Sequence, residues 1–393
     1  MKNTKTKTIS DPLYGSIEIS EEALKIIDTK EFQRLRHIKQ LGTVYLVYPG
    51  ANHTRFEHSI GAYYLANEIS NKLELESDKD ELKIAALLHD IGHGPFSHLL
   101  EDLPNIYWSH EEESINIIKN TIISDKLAEE GLNISKVCEY ILGKGNLGRI
   151  ISGDLDVDRM DYILRDSHYT GVGVTYDFHR IVNTMELLND SVVIKEKGII
   201  AVEGFLIARH VMYSRVYLHH ATRSSEGMLK KAILDLLEEN IVTIEDLVKY
   251  DDIDFWRILR EGTKFTKFIA ERLFSRNLYK RVLELKWREL PEELRHEILG
   301  KENAISKIEK EISENSDIEE KYIIVDASPL HMGKKVDVKI LLKDGSIIPF
   351  EEVSTLVNSL RGAQLDHWRF WIFAPKEMVD NVGRVARRVL GLR

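Results

Sequence analysis

The sequence predicts a mainly α-helical protein with a small α/β region at its C-terminal end. Apolar residues recur at helical spacing over most of the first 320 residues. From Tyr322 onward, short runs rich in β-branched and aromatic residues, such as Trp368–Phe373, are typical of strands. A chain of 393 residues, 43% of them hydrophobic, is long enough for more than one core. We therefore predict a helical core over 1–240, a helical extension over 241–320 and an α/β domain over 321–393.

The composition excludes several classes of protein. A net charge of −10 argues against a general nucleic-acid binder, because nonspecific affinity for phosphate backbones requires a basic surface. The single cysteine, Cys138, excludes an intrachain disulfide and is typical of a reducing compartment. The first ten residues lack the apolar run of a signal peptide, and no later run reaches the ~20 apolar residues of a membrane span. We expect a cytoplasmic protein with no membrane or stable nucleic-acid partner.

The first 75 residues are predicted to form one strand and several helices. Gly15–Ile19 has the pattern of a short strand, and Ser20 is a typical N-cap for the helix that follows. Further helices are predicted over 31–40 and from about Thr54 to Leu75. His58 lies one turn inside the last of these helices, so its side chain can face the core.

The stretch Leu87–His98 predicts a metal site. Its potential ligands are His89, Asp90, His93 and His98. Imidazole and carboxylate together bind divalent ions such as zinc, manganese or iron without any thiolate. The alternative is that His89 is a hydrogen-bonded core residue and that the other histidines lie on the surface. This density of ligands within ten positions favours the metal site.

The residues around this stretch predict where the chain turns. Glu81–Leu88 has helical apolar spacing and would bury His89 and Asp90 at a helix end. Gly92 and Gly94 would break that helix, and Pro95 suits the first turn of another. The sequence therefore predicts two helix ends that meet at the histidines. A further helix is predicted to begin near His110, which is another candidate for the site.

A second polar stretch, Asp154–Asp166, predicts one wall of a phosphate site. If it is helical from about Val157, Asp158, Tyr162 and Arg165 share one face. The alternative is a solvated charge run, although apolar residues occupy the opposite face. The long helical pattern over 203–240 adds tyrosines and arginines, and arginine suits bidentate phosphate recognition. For any one of these arginines, a simple surface position is the alternative.

These motifs resemble those of the HD-domain hydrolases, and more closely those of the dNTP triphosphohydrolases and prokaryotic dGTPase-like HD proteins. The match runs from about Asp11 to Met228 and includes Phe32–Arg36, Lys39–Gly42 and Pro49–Ala51. The resemblance implies an HD-domain helical core over 1–240. It also implies that the metal ligands are His58, His89, Asp90 and Asp158. The identity of the divalent ion, whether Mn, Fe, Zn, Ni, Co or Mg, is left open.

The resemblance also implies roles for residues around the metal. His93, His98 and His110 are placed around the phosphates as the acid/base group, supported by Glu101 where the family has an aspartate. The implied contacts to the nucleotide are Gln40, Leu41, Arg55, Arg159, Tyr162, Asp166, Arg209 and Tyr217. Arg159 replaces a lysine of the family and Leu218 replaces a glutamine. Both departures affect the expected preference for base and sugar.

The expected activity is metal-dependent hydrolysis of a deoxynucleoside triphosphate, bound as its magnesium complex, to deoxynucleoside and triphosphate. His98 would protonate the departing 5′ oxygen. The resemblance further implies an activating nucleotide at a subunit interface and a homo-oligomer, either a dimer or a tetramer. The same ligands could also serve a nucleoside monophosphatase, a cyclic-nucleotide phosphodiesterase or a nuclease, because fold and metal do not determine the substrate. A non-catalytic nucleotide sensor is the alternative from a different class.

Overall fold

A computed structural model describes residues 7–101, 103–104, 106–189, 191–300, 304–329 and 336–392. Within these residues the protein is mainly α-helical, as the sequence predicts. The helices, in chain order, are α1 Glu21–Ile27, α2 Lys30–Gln33, α3 Arg55–Lys72, α4 Lys79–Leu88, α5 His110–Asn120, α6 Ile122–Glu129, α7 Ile134–Ile141, α8 Gly145–Gly148, α9 Val157–Thr170, α10 Phe178–Thr184, α11 Ile199–Met212, α12 His220–Glu238, α13 Ile244–Leu247, α14 Asp252–Glu261, α15 Lys264–Phe274, α16 Glu292–Gly300, α17 Ala304–Ser316, α18 Phe350–Val353, α19 Leu356–His367 and α20 Val379–Val389.

The strands are short and form three sheets. In chain order they are β1 Lys7–Asp11, β2 Gly15–Ile19, β3 Met185–Leu188, β4 Ser191–Lys195, β5 Lys280–Lys286, β6 Ile324–Ala327, β7 Lys339–Leu341, β8 Ile347–Pro349 and β9 Arg369–Ala374. β1 pairs with β2, while the two larger sheets have the orders β3-β4-β7-β8 and β5-β9-β6. Strands that follow residue 320 therefore complete sheets begun by strands before it. The division into 1–240, 241–320 and 321–393 stays a prediction.

Helix α3 lies at the centre of the scaffold that carries the site, where it packs against α4 and α9. At the N-terminal end of α3, the Glu57 carboxylate accepts a hydrogen bond from the Thr54 N–H, as in a capping box. Most side chains of α3 are buried. Helix α9 approaches α3 closely at Gly61, where a Cβ atom would collide with the carboxylate of Asp161. Glycine at this position allows the two helices to meet.

Two predicted helices differ from the structure. The helix expected over 31–40 ends at Gln33 and continues as a 3₁₀ turn over Arg34–His37, because the chain must then turn to bridge Lys39 with Thr54. The second difference is that no helix begins at Pro95. Residues 94–101 form turns, since Phe96 and Ser97 adopt a left-handed backbone that a helix cannot contain.

Other predicted elements are confirmed. The strand Gly15–Ile19 is present, and the Ser20 hydroxyl caps α1 by accepting the Ala23 N–H at 3.3 Å. The long helix near Thr54 is α3, and Ser109 caps α5, which begins at His110. Strand β5 falls in the segment that was predicted to be helical, and no separate helix or strand was predicted over β3 and β4. Among the described residues, no helix combines the length and apolarity that crossing a membrane requires.

Candidate active site

Four predicted metal ligands converge where α3, α4 and α9 meet. His58 lies in the first turn of α3, His89 and Asp90 follow α4 directly, and Asp158 is the second residue of α9. The Nε2 atoms of His58 and His89 are 3.2 Å apart. Asp158 Oδ1 lies 3.1 Å from His58 Nε2 and 3.7 Å from His89 Nε2. The Asp90 oxygens lie 3.5 Å and 3.4 Å from the same two nitrogens.

The hydrogen bonds behind the two imidazoles determine their tautomers. His58 Nδ1 donates to Asp161 Oδ2 at 2.8 Å, and His89 Nδ1 donates to the Ala86 carbonyl oxygen at 2.7 Å. A carboxylate and a carbonyl can only accept, so in each neutral imidazole the proton is on Nδ1. The two Nε2 lone pairs therefore face each other and the carboxylates of Asp90 and Asp158. Lone pairs converging in this way need a cation between them.

The charges of the cluster lead to the same conclusion. Burial lowers the pKa of His58, but the hydrogen bonds with Asp158 and Asp161 outweigh it and raise the pKa to about 10. The site thus favours extra positive charge at its centre. Bonds of roughly 2.0–2.2 Å to one ion place neighbouring ligand atoms about 3.0–3.5 Å apart, which is close to the observed separations. His58, His89, Asp90 and Asp158 therefore fit a divalent metal ion by donor type, spacing and charge.

Asp161 and Arg165 support the cluster, a role that the sequence did not predict for either residue. Asp161 receives two hydrogen bonds from Arg165, at 2.8 and 2.9 Å, and both side chains are fully buried. Arg165 also donates to Asp11 at 2.8 Å, so it does not belong to the phosphate wall that helical spacing predicted. The i, i+4 spacing of this acid–base pair on α9 was the available signal. A carboxylate behind a ligand imidazole fixes its orientation and raises its basicity.

The remaining histidines form a second group beside the cluster. Glu101 accepts from His98 Nδ1 at 2.6 Å through one oxygen and from His110 Nδ1 through the other. Burial would raise the pKa of Glu101, but its hydrogen bonds with His110 and His98 hold it well below its usual range. Burial lowers the pKa of His110, but the Glu101 carboxylate outweighs burial and raises it. Glu101 therefore stabilises the protonated form of His110.

His93 connects this group to the metal ligands. It is fully buried, its ring stacks on His110 at 4.0 Å, and its Nε2 lies 3.2 Å from Asp90 Oδ1. Burial, together with the charges of Arg55 and His110, holds the pKa of His93 well below its usual range. Its surroundings therefore favour the neutral form of His93, whereas Glu101 favours the protonated form of His110.

A cleft of ≈ 340 Å³ opens beside the cluster. Its wall includes Asp158, His98 and the predicted substrate residues Gln40, Leu41, Arg159, Tyr162, Asp166 and Tyr217. A larger cavity, of ≈ 550 Å³, borders Arg159 and is lined by none of the four ligands. We assign the chemistry to the smaller cleft because its wall contains both a metal ligand, Asp158, and His98.

Two predicted substrate arginines do not line the cleft. Arg55 is 2% exposed, donates to Asp90 and Ser97, and has an Nη2 atom without a hydrogen-bond partner among the described residues. Arg209 lies half-buried near the end of α11, with its guanidinium carbon 5.5 Å from the ring centroid of Tyr213. Arg159 does reach the cleft, although its guanidinium also donates to Asp156.

The wall of the cleft also contains Tyr162, Tyr213 and Tyr217. The Tyr217 hydroxyl donates to one Asp166 oxygen at 2.6 Å, and His53 Nε2 lies 2.7 Å from the other. Both oxygens of Asp166 are thus occupied by protein groups. Tyr213–Tyr217 forms a π-helical turn, a feature frequent at functional sites. Sequence reasoning missed His53, which lies outside the dense motifs.

Comparison with known families identifies the scaffold. The HD domain family profile matches residues 55–166, and the HD associated region profile matches residues 176–393. The chain belongs to the HD-domain phosphohydrolase family. The four candidate ligands fall within the HD domain match, and the second match covers more than half of the chain.

Several relatives of this HD protein can be named. An uncharacterized protein of Methanocaldococcus jannaschii is 37% identical over 96% of this chain and 81% of its own length. The deoxynucleoside triphosphate triphosphohydrolase SAMHD1 of Bos taurus is 31% identical over 71% of this chain, which spans 59% of the bovine protein. A crystal structure of a phosphohydrolase from Bacteroides thetaiotaomicron superposes with a TM-score of 0.76 at 29% identity, covering 94% of this chain and all of that one.

Proposed function

We propose that the protein hydrolyses a deoxynucleoside triphosphate at its α-phosphorus and releases a deoxynucleoside and triphosphate. The observation that carries this proposal is the convergence of four candidate metal ligands beside His98 at one cleft. The likeness to a bovine enzyme named as a deoxynucleoside triphosphate triphosphohydrolase supports the choice of substrate. The membership of the HD family supports the reaction class.

His58, His89, Asp90 and Asp158 would hold the divalent ion. When bound there, such an ion polarises phosphoryl oxygens and makes water more acidic. Asp161 keeps His58 in the tautomer that presents Nε2 to the ion, and the Ala86 carbonyl does the same for His89. The protein thus supplies a preorganised ligand set, so that little reorganisation is needed when the substrate binds.

His98 would act as the general acid. Its Nδ1 proton is held by Glu101, so its Nε2 proton is the one available to the departing 5′ oxygen. Water attacks the α-phosphorus and releases a proton to solvent, the bond from phosphorus to the 5′ oxygen breaks, and that oxygen takes a proton from His98, which solvent then reprotonates. Help from a positioned acid of this kind contributes roughly 10²- to 10⁴-fold to the rate.

Product analysis tests the proposal. Metal-supplemented protein is incubated with each dNTP alone and with all four together, and nucleosides, nucleotides, phosphate and triphosphate are separated by chromatography. Deoxynucleoside with intact triphosphate is the expected result. Monophosphates or diphosphates would instead indicate a phosphohydrolase of another class. Binding of dNTP without consumption, under any divalent metal, would indicate a nucleotide sensor.

We also propose that the protein is a homo-oligomer, dimeric or tetrameric, whose activity responds to a bound nucleotide. The proposal is supported by the likeness to the dNTP triphosphohydrolases. Size-exclusion chromatography with light scattering, with and without dNTPs, measures the assembly directly. Hydrolysis of a dNTP in the mixture but not alone is the expected sign of an activating nucleotide.

A further inference from the structure

The backbone that leads to His98 is strained. Phe96 and Ser97 have φ angles of 55° and 64°, in the left-handed region that residues other than glycine rarely occupy. Such residues persist only where surrounding contacts hold them, and they cluster at active sites. The contacts that hold this loop therefore decide where His98 lies.

The main contact comes from Asp252, far along the chain. Its Oδ1 accepts the Phe96 N–H at 2.7 Å, and its Oδ2 accepts the Lys39 N–H at 3.0 Å. Asp252 is the first residue of α14, within the HD associated region, and it is only 5% exposed. We call residues 94–101, which carry His98, the histidine loop. One carboxylate thus joins this loop to the segment that carries Gln40 and Leu41.

Neighbours of Asp252 hold the same loop. The Phe96 ring meets the rings of Phe255 and Trp256 edge-on, at 5.5 and 5.6 Å. Arg34 donates to the Tyr250 carbonyl oxygen and to the Ile91 carbonyl oxygen, both at 2.9 Å. Segment 250–256 therefore holds Phe96 directly and, through Arg34, is joined to Ile91 just before the loop.

On its other side, the loop is joined to the metal ligands. The Ser97 hydroxyl donates to the Lys39 carbonyl oxygen at 2.7 Å and accepts from Arg55 Nε at 2.8 Å. Arg55 also donates to the carboxylate of Asp90. A shift of Phe96 or Ser97 would therefore move His98 relative to the cluster.

We propose that Asp252 is a positioning residue that holds the loop so that His98 and Glu101 face the metal cluster. The HD associated region would in this way control the reactivity of the HD domain. The proposal rests on the proposed function, because it assigns His98 the role of acid. Asp252 itself touches neither the cleft nor the ligands.

The protonation state of Asp252 is consistent with this role. Burial raises the pKa of Asp252 to about 6, although the Phe96 and Lys39 amides and the Lys39 charge oppose the rise. At neutral pH the carboxylate form therefore predominates and accepts at both oxygens. An asparagine amide can accept at only one atom and would place its NH₂ group against the other backbone N–H.

The test compares two identical substitutions at adjacent positions. Asp252→Asn removes one of the two amide contacts. Asp251→Asn is the matched control, since Asp251 caps α14 by accepting the Ile253 and Asp254 N–H groups, and asparagine is an equally good cap. Both variants lose one negative charge in the same turn, but only the first changes a contact to the loop.

Hydrogen–deuterium exchange of peptides covering 91–101 is measured first, because it does not depend on activity. We expect Asp252→Asn to accelerate exchange in this loop about tenfold, with exchange in α19 unchanged and metal content as in the wild type. Its kcat should fall about tenfold or more while KM stays within about threefold. Asp251→Asn should match the wild type in all of these measurements.

Equal exchange in the two variants, or an unchanged kcat for Asp252→Asn, would overturn the inference even if dNTP hydrolysis is observed. If the wild type hydrolyses no dNTP, the proposed function fails, while the exchange comparison still decides whether Asp252 holds the loop. If Asp252→Asn does not fold, Asp252→Ser replaces it, because a short hydroxyl avoids the clash but cannot reach both amides. Asp252→Ser should also accelerate hydrogen exchange in the peptides covering 91–101. Exchange as slow as in the wild type would again contradict the inference.

Discussion

The metal cluster and the histidine loop are neighbours, but they are built in different ways. The cluster takes its ligands from α3, from α9 and from the two residues directly after α4, and hydrogen bonds behind His58 and His89 fix both rings. The loop is irregular, and the side chain of its His98 is 62% exposed. The comparison teaches that local helix geometry organises the cluster, whereas contacts from far along the chain organise the loop.

The largest effect is expected from removing a cluster ligand. His58→Ala should abolish both metal binding and hydrolysis, with activity down by about 10³-fold or more, because several kcal/mol of charge stabilisation are lost with the ion. Metal content by mass spectrometry and turnover by chromatography measure the two effects. His37→Ala, at an exposed histidine outside the site, is the control. A variant at His58 that retains metal and turnover would refute the assignment of the cluster.

Removing the acid from the loop should separate chemistry from metal binding. His98→Ala is expected to lower kcat by roughly 10²-fold or more while the metal content stays at the wild-type level. The reason is that His98 contacts Glu101 and the cleft but none of the four ligands. Loss of metal together with activity would mean that the loop and the cluster are a single unit, and the comparison would fail.

The pH dependence of stability gives a third test, on the loop side. The pKa of Asp252 is about 6 in the folded protein and 3.8 in the unfolded chain. Between these pH values the folded protein keeps the Asp252 proton that the unfolded chain has already lost. The contribution of this proton to stability is therefore complete below about pH 4 and is lost as the pH rises to about 6. The unfolding free energy of the wild type should therefore fall by ~2 kcal/mol relative to that of Asp252→Asn from pH 4 to pH 7. Urea unfolding at both pH values measures it, and a difference independent of pH would contradict the assignment.

A smaller effect is expected behind the cluster. Asp161→Asn leaves all four ligands in place but weakens the hydrogen bond that orients His58. Loss of such a partner typically lowers metal affinity by about 10- to 100-fold. Titration with a divalent metal, followed by calorimetry, gives the affinity. The melting temperature shows whether weakening the ion pair between Arg165 and residue 161 destabilises the fold. Unchanged affinity would show that Asp161 serves the fold alone.

Much of the cluster could be predicted from the sequence. The apolar lead-in to His89 and the helical start near Thr54 predicted the elements that present His89, Asp90 and His58, and these elements are present. The choice of Asp158 among several aspartates needed the family resemblance, because spacing alone left it open. The roles of these residues remain predictions until metal binding is measured.

The conformation of the histidine loop could not be predicted in the same way. Glycine and proline after Asp90 correctly predicted a break in the helix, but Pro95 was wrongly taken to begin another one. Nothing near Phe96 in the sequence indicates that its N–H donates to Asp252, which lies 156 positions away. Strands β4 and β5 were missed for a similar reason, since β4 pairs with β7 and β5 with β9, both of which lie far along the chain.

The most direct test of the central claim is hydrolysis of a dNTP in water enriched in ¹⁸O, with both products analysed by mass spectrometry. Attack of water on the α-phosphorus places the label in triphosphate and leaves the 5′ hydroxyl of the deoxynucleoside unlabelled, and this is the result we predict. Label in inorganic phosphate or pyrophosphate, accompanied by a deoxynucleoside diphosphate or monophosphate, would contradict it.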